Sequence, residues 1–422
     1  MAKLIGQRSS PMDDNPRSAE RLIVVGNGMA AMRTVETLLS HAPRRYDVTV
    51  ISADPHPSYN RILLSAVLAG ERTFDDAVTH RPGWYADNGV KLLAGHPVTA
   101  IDRKAMTVAI AGAAAAIAYD KLLLATGSKP LAPPIPGLDL PGVRSFRDIA
   151  DAAAMIAAAG RDRRAIVIGG GLLGLEAAWG LRRRGMQVAV VHLMPTLMER
   201  QLDRTAGEML RRDLEARGVV FLTSCQAEEI TGSERVEDVR LADGRHLAAD
   251  LVVVAIGIRP DVDLAAAAGL DVNRGILVGD DMRTSDPKIY AVGECVEHNG
   301  RVVGLIAPIW EQAEVCGARL AGDETAVYLP SPVFTSLKIT GVNVFSAGAL
   351  AAEDEADEEL ALHDPRRGVY KKLVLRDERI VGCVLYGDVA DGSWYLDLMR
   401  DEADISAFRD RIVFGREFAE AA

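Results

Sequence analysis

Twice in this chain a short apolar run breaks at a cluster of glycines and resumes with helical periodicity. The first copy is Arg21–Ala31, RLIVVGNGMAA, where Leu22, Ile23, Val24 and Val25 read as a buried parallel strand. Gly26 and Gly28 permit a sharp turn and a close approach of phosphate to backbone. The segment from Ala30 to Leu39 then supplies a helix whose first N–H groups attract an anion. Ala31 replaces the last small residue of the pattern, which the close helix–strand contact accommodates. The second copy, Ala165–Gly174, reads AIVIGGGLLG and carries the full spacing Gly169, Gly171, Gly174. A single turn of this kind is common in α/β proteins, but its recurrence argues for two mononucleotide-binding units in one chain.

With 422 residues there is room for two or three domains, and 49% apolar with 25% charged residues is an ordinary globular balance. A net charge of −11 argues against a general nucleic-acid binder, which needs excess positive charge against phosphates. No apolar run reaches membrane-spanning length, so no membrane partner is expected. Cys225, Cys295, Cys316 and Cys383 form no CxxC pair and offer neither a disulfide framework nor metal-ligand spacing. A reducing cytoplasm is the expected compartment, no metal is expected, and the oligomeric state stays open. Met1 to Ser18 reads as a disordered tail.

Along the first unit, Val48 to Ile51 is the second strand, and Asp54 stands where an acid accepts hydrogen bonds from an adenosine ribose, or simply faces water in a loop. Arg61 could neutralise a pyrophosphate or orient a ring edge, or form a surface ion pair. Ile101 to Tyr119 suggests a hairpin or small meander. Tyr119–Ser128 and Ala249–Pro260 are matching strands that end in glycine, as befits the junctions between units, and Pro130 to Pro141 form a stiff linker. Arg163 to Val191 make the second unit. Its Glu176 can meet a nicotinamide or sit at an interdomain cleft. At its second strand end stands His192 rather than an acid, with Arg200 and Arg204 interspersed with Glu199 and Asp203, and the balance favours NADH over NADPH. Ile289 to Glu294 returns as a buried strand ending in an acid, which reads as a ribitol ligand or a helix cap, and a helix follows from Pro308 to Leu320. Cys295 reads as a buried inert thiol rather than a reactive one. From Pro330 onward four antiparallel strands around 335–339, 342–346, 370–375 and 380–386 are expected. Helices at Trp394–Met399 and Ile405–Arg411 follow, and the acidic run Glu353–Glu359 reads as a solvated loop.

Two cradles in one chain suggest a hydride donor in one and a tightly held redox cofactor, FAD, in the other. The strings PHPSYNRILLS (55–65), VHLMPTLMERQLD (191–203), GECVEH (293–298) and LYGD (385–388) resemble the flavoprotein pyridine nucleotide oxidoreductases related to rubredoxin and ferredoxin reductases. Within that group they are similar to the N-terminal flavoprotein part of assimilatory NAD(P)H nitrite reductase large subunits. The resemblance spans about residues 20 to 410. It implies an α/β fold with two Rossmann-like three-layer dinucleotide-binding domains and a small C-terminal α+β domain. The implied divisions are 19–134 with 256–329 for FAD, 135–255 for NAD(P)H and 330–422 for the last domain. It places Gly26, Gly28, Ala30, Ala31, Asp54, Asn60, Arg61, Thr126, Gly127, Glu294, Glu311 and Gln312 around FAD. It places Gly169, Gly171, Leu172, Gly174, Glu176 and His192 around NADH, with NADPH as the alternative. It names no catalytic side chain beyond Glu176 on the nicotinamide side.

The disulfide-active groups of that superfamily carry a cysteine shortly after the arginine loop; Asn60 to Ser65 has none, which disfavours such chemistry. Ala66 stands where the rubredoxin-reductase-like group often has lysine. Complete nitrite reductase large subunits continue into iron–sulfur and siroheme portions, whereas this chain stops at Ala422. The expectation is therefore an NADH-oxidising flavoprotein that passes electrons to a separate nitrate or nitrite reductase component, ferredoxin or rubredoxin. The alternatives are an NAD(P)H:ferredoxin or rubredoxin reductase for an oxygenase system, and a redox-sensing or structural flavoprotein.

Overall fold

A computed structural model describes residues 19–332, 334–337 and 339–421; the expected tail at 1–18 lies outside the described residues. The chain opens with β1 (Glu20–Val25), α1 (Met29–His41), β2 (Tyr46–Ser52), α2 (Leu64–Leu68), β3 (Lys91–Ala94) and β4 (Lys121–Leu124). These strands form a parallel sheet in the order β4–β1–β2–β3, and Ile289–Ala291 returns to pair beside β4. Alternation along β1 sets the layers. Leu22 and Val24 pack under α1 with Met32, Val35 and Leu38, while Ile23 and Val25 face Ile101, Val108 and Ile110. Those last residues belong to an antiparallel meander of Val98–Asp102, Thr107–Ile110 and Ile117–Ala118, so the stretch read as a hairpin or meander is the sheet's second cover.

The same plan recurs. Helix α3 (Ile149–Ala158) leads into β5 (Arg164–Ile168), α4 (Leu172–Arg183), β6 (Gln187–Val191), α5 (Arg204–Ala216), β7 (Val219–Leu222) and β8 (Leu251–Val254). The parallel order is β7–β6–β5–β8, with Val143–Arg144 beside β8. Ala165 and Val167 face Leu175, Ala178 and Leu210, whereas Ile166 and Ile168 face Ile230, Val239 and Leu241 of a second meander. The chain passes between the two sheets twice, and the crossings Ser128–Pro130 and Ile258–Pro260 pair antiparallel.

After α6 (Ile306–Ala321) comes a five-stranded antiparallel sheet of β9 (Phe334–Ser336), β10 (Val344–Gly348), β11 (Glu358–Asp364), β12 (Val369–Arg376) and β13 (Arg379–Tyr386), in the order β9–β10–β13–β12–β11, followed by α7 (Gly392–Arg400). The fold is thus α/β with two parallel sheets and a C-terminal antiparallel sheet domain. The last helix expected at Ile405–Arg411 is instead a short 3-10 segment at Arg409–Phe414. No helix among the described residues is long and apolar enough to cross a membrane.

The C-terminal sheet is tied to the second unit through charges. Asp203 Oδ1 accepts the Ala206 N–H and caps α5, while Oδ2 accepts from the Tyr370 hydroxyl at 2.6 Å and from Lys372 Nζ at 3.1 Å. Tyr386 donates to Asp213 at 2.6 Å, and Arg217 donates to the carbonyls of Thr340 and Gly341.

The acidic run differs from its expectation. Glu358 and Glu359 begin β11, whose neighbours the sequence pattern did not reveal, because its apolar and polar residues alternate at an exposed edge. Asp357 is buried, and the Arg376 guanidinium, together with the N–H groups of Glu353 and Asp354, holds its carboxyl well below the usual carboxylate range. An unfolded aspartate takes up its proton near pH 4, before the folded one does, so this contribution is full above about pH 4 and is lost on further acidification. Urea unfolding at about pH 7 and about pH 3.5 should therefore show a larger loss of stability for the native chain than for Asp357→Asn. Parallel losses would show that Asp357 does not contribute to the acid sensitivity.

Candidate functional site

Each glycine turn divides its glycines between two tasks. Gly26 has φ +113°, and a Cβ there would stand 2.2 Å from the Ala125 carbonyl oxygen at the end of β4. Gly169 repeats this at φ +120°, with the Ala255 carbonyl oxygen at 2.2 Å. Only glycine fits either place, because the backbone is left-handed and the adjacent strand end lies against it. A Cβ on Gly174 would meet the Gly169 carbonyl oxygen at 2.1 Å, so α4 crosses close over its own strand. The first unit has Ala31 at the corresponding step, fully buried.

Gly28 and Gly171 are different. Both have ordinary extended backbone (φ −81° and −84°), and a Cβ on either would find no protein atom within 4 Å. The fold does not need glycine there; something placed against the turn would. Both residues are also the N-caps of α1 and α4, without a side-chain cap or an acid in the first turn. By contrast α3 and α5 are capped by Asp148 and Asp203. The exposed N–H groups of α1 and α4 make two anion-binding positions.

From the first turn a cavity of about 840 Å³ extends between the units. Gly26, Gly28, Ala30, Ala31, Asp54, Arg61, Thr126, Gly127 and Glu294 line it. So do Leu172 and Glu176 at the start of α4, Leu305 and Ile306 at the start of α6, and Phe334 to Ser336 of β9. Three parts of the chain therefore share one cavity. Gly169, Gly171, Gly174 and His192 are not in its lining; they form the second turn, behind Leu172 and Glu176.

Several expected site residues hold other parts of the wall. Asp54 Oδ2 accepts from Tyr59 at 2.8 Å and Oδ1 from the His56 N–H at 3.0 Å; burial keeps the Tyr59 phenol above its usual pKa. Asn60 lies outside the lining and caps its own short turn by accepting from the Ile62 N–H. Thr126 donates to the Asp261 carbonyl across the linker. Glu311 also lies outside and accepts from Ser331, while buried Gln312 accepts from the Gly293 N–H and so fixes the strand end beside Glu294. Glu294 caps no helix, since α6 is preceded by Leu305; its Oε2 accepts from Ser128 and Arg147.

Arg147 was not foreseen, because nothing in its local pattern points to Glu294, 147 residues further on. Its guanidinium lines the cavity, and its Nε is buried without a hydrogen-bond partner among the described residues. Arg61, also in the lining, forms no ion pair among the described residues and lies over the Tyr59 ring at 5.6 Å. Two arginines and one uncapped helix end thus line the same cavity, which fits a dinucleotide with a pyrophosphate. Tyr85 was missed as well: its hydroxyl donates to Asn27 at 2.8 Å and accepts from the Ser58 N–H, which joins the turn to the 55–65 loop.

The units also touch at the cavity. Ser65 on α2 donates to Glu176 on α4, and Arg184 closes the other end of the contact by donating to the Leu68 and Val67 carbonyls. None of the four cysteines lines the cavity. Cys295 is fully buried, 3.3 Å from the Val292 carbonyl oxygen, and burial pushes its thiol pKa up.

A family model described as pyridine nucleotide-disulphide oxidoreductase matches residues 20–318, and one described as rubredoxin NAD+ reductase C-terminal domain matches residues 332–403. The chain is 49% identical over 387 residues to a nitrite reductase [NAD(P)H] of Bacillus subtilis (strain 168), covering 92% of this chain and 48% of the relative. It is 42% identical to the assimilatory nitrate reductase electron transfer subunit of the same organism, covering 93% and 51%. The chain thus spans about half the length of these curated relatives. A chain of the solved covalent putidaredoxin reductase–putidaredoxin complex superposes with a TM-score of 0.83 at 26% identity, covering 92% of this chain and 94% of that one.

The open space at the two middle glycines makes a separable prediction. Gly28→Ala and Gly171→Ala should unfold at the same denaturant concentration as the native chain in the absence of ligands. Gly28→Ala should lose flavin, and Gly171→Ala should bind nicotinamide nucleotide about tenfold or more weakly. Full flavin content together with unchanged nucleotide affinity would show that neither turn contacts a ligand.

Proposed function

The chain belongs to the pyridine nucleotide-disulphide oxidoreductase family, and on that basis we propose that it is an NADH-dependent flavoprotein that passes electrons to a separate acceptor protein. The first turn holds FAD, the second holds NADH, and residues 19–134 with 256–329, 135–255 and 330–422 are the units that carry FAD, NADH and the C-terminal sheet. The acceptor is a nitrate or nitrite reductase component.

The observation that carries this reading is the convergence of two uncapped glycine-turn helices, α1 and α4, on one cavity. When bound, the flavin supplies acceptance of hydride from a reduced nicotinamide and its release as electrons. The chain's part is to hold and align. Gly28 and the first N–H groups of α1, with Arg61 and Arg147, receive the pyrophosphate. Glu294, fixed by Arg147 and Ser128, offers Oε1 to a ribitol hydroxyl. Leu172, Leu173 and Glu176 form the wall on which a nicotinamide would rest, and Ser65 holds the Glu176 carboxyl in place. With all four thiols buried and outside the cavity, a route through a reactive cysteine has no support.

The nitrogen-assimilation acceptor is supported by the likeness to the two Bacillus subtilis proteins, a nitrite reductase [NAD(P)H] and an assimilatory nitrate reductase electron transfer subunit. A second reading, reduction of a small iron–sulfur protein or rubredoxin, is favoured by the C-terminal family match and the putidaredoxin reductase likeness. Steady-state NADH oxidation against a panel of purified acceptors separates them. Faster turnover with a nitrate or nitrite reductase component is expected; a clear preference for ferredoxin or rubredoxin would favour the second reading.

A further inference from the structure

In a mononucleotide unit the side chain at the end of the second strand reads the adenosine ribose, and an acid there favours a free 2′-hydroxyl. This chain has His192 at that place, and the structure shows that the imidazole is already engaged. The Gly170 N–H donates to His192 Nδ1 at 3.0 Å, so the ring proton sits on Nε2. A Cβ on Gly170 would stand 2.7 Å from His192 Cγ, and the residue is only 7% exposed. The ring is therefore packed flat against the glycine turn, as part of its support.

Nε2–H points to the Thr196 carbonyl at 3.1 Å and to Glu199 Oε2 at 3.2 Å. Glu199 lies seven residues beyond His192, and the loop returns it. Leu197 and Met198 are fully buried, Met198 is left-handed at φ +52°, and its N–H donates to the Gly170 carbonyl at 3.0 Å. Asp203, held by Tyr370 and Lys372, pins the far end of the same loop. The Glu199 side chain is 29% exposed, and its Oε1 meets no donor among the described residues.

We propose that Glu199 is the specificity-determining acid of the second cradle: His192 carries its carboxylate back to the strand end, where it accepts from the 2′-hydroxyl of a nicotinamide dinucleotide and repels a 2′-phosphate. This rests on the reading of the second turn as a nicotinamide nucleotide site. Charge repulsion of this kind discriminates by excluding the wrong ligand as much as by holding the right one. Arg200 and Arg204 are exposed and form no ion pair among the described residues, so they are the groups that would act in the opposite sense.

Calorimetric titration of the flavin-loaded full chain with NAD+ and with NADP+ tests this directly. The native chain should bind NAD+ about tenfold or more tightly than NADP+, and Glu199→Gln should bring the two affinities within about threefold. Glu199→Asp should keep most of the preference, and Arg200→Ala should leave it in place. An unchanged preference in Glu199→Gln, or its loss in Arg200→Ala alone, would overturn the role of Glu199 while leaving the nucleotide site standing. A native chain that binds neither nucleotide would overturn the site itself.

Discussion

The contact on which this molecule depends is the close approach of the first glycine of each turn to the carbonyl end of the neighbouring parallel strand. Gly26 lies against Ala125 and Gly169 against Ala255, at distances that leave no room for a Cβ. That approach turns the chain sharply enough for the following helix to start at the sheet edge with its N–H groups facing open space. Everything placed around the cavity follows from it. Ala125 and Ala255 each stand three residues ahead of a crossing, at Ser128 and Ile258, so the strand ends that shape the turns also lead into the linkers that join the units.

Polar contacts that span long sequence separations then set the units against one another. Ser65 meets Glu176 across the cavity, Arg147 meets Glu294, and Asp203 receives Tyr370 and Lys372 from the C-terminal sheet. These are largely buried groups, and their geometry is worth more to orientation than to net stability, because removing charges from water costs about as much as their attraction returns. The loop that carries His192 and Glu199 is held at one end by the second glycine turn and at the other by the C-terminal sheet. The position of that loop and the position of the last domain are thereby linked.

Much of this architecture was legible in the sequence because it is local. Both glycine turns, their flanking strands and helices, the matching strand ends at Leu124 and Val254, and the paired strands at 370–375 and 380–386 follow from periodicity and turn chemistry over a few residues. The edge strand β11 was hidden by its exposed charges, and Asp357 by its place in an acidic run whose burial depends on Arg376. At the site, the lining positions Gly26, Gly28, Arg61, Gly127 and Glu294 were found by spacing or resemblance. Arg147, Tyr85 and the return of Glu199 to His192 were not, since each depends on a partner whose proximity only folding creates. The resemblance puts Asn60, Glu311 and Gln312 near FAD, and in the structure their side chains bond a turn, a serine and a strand end.

The proposed function requires two dinucleotides to meet in the one cavity formed by α1, α4 and the strand ends between them. Anaerobic titration of the flavin-loaded protein with NADH, followed through the flavin's visible absorption, measures that meeting most directly. Complete bleaching by a stoichiometric amount of NADH within the mixing time of a hand titration is expected. A flavin that stays oxidised in excess NADH, in protein shown to bind the nucleotide, would contradict it.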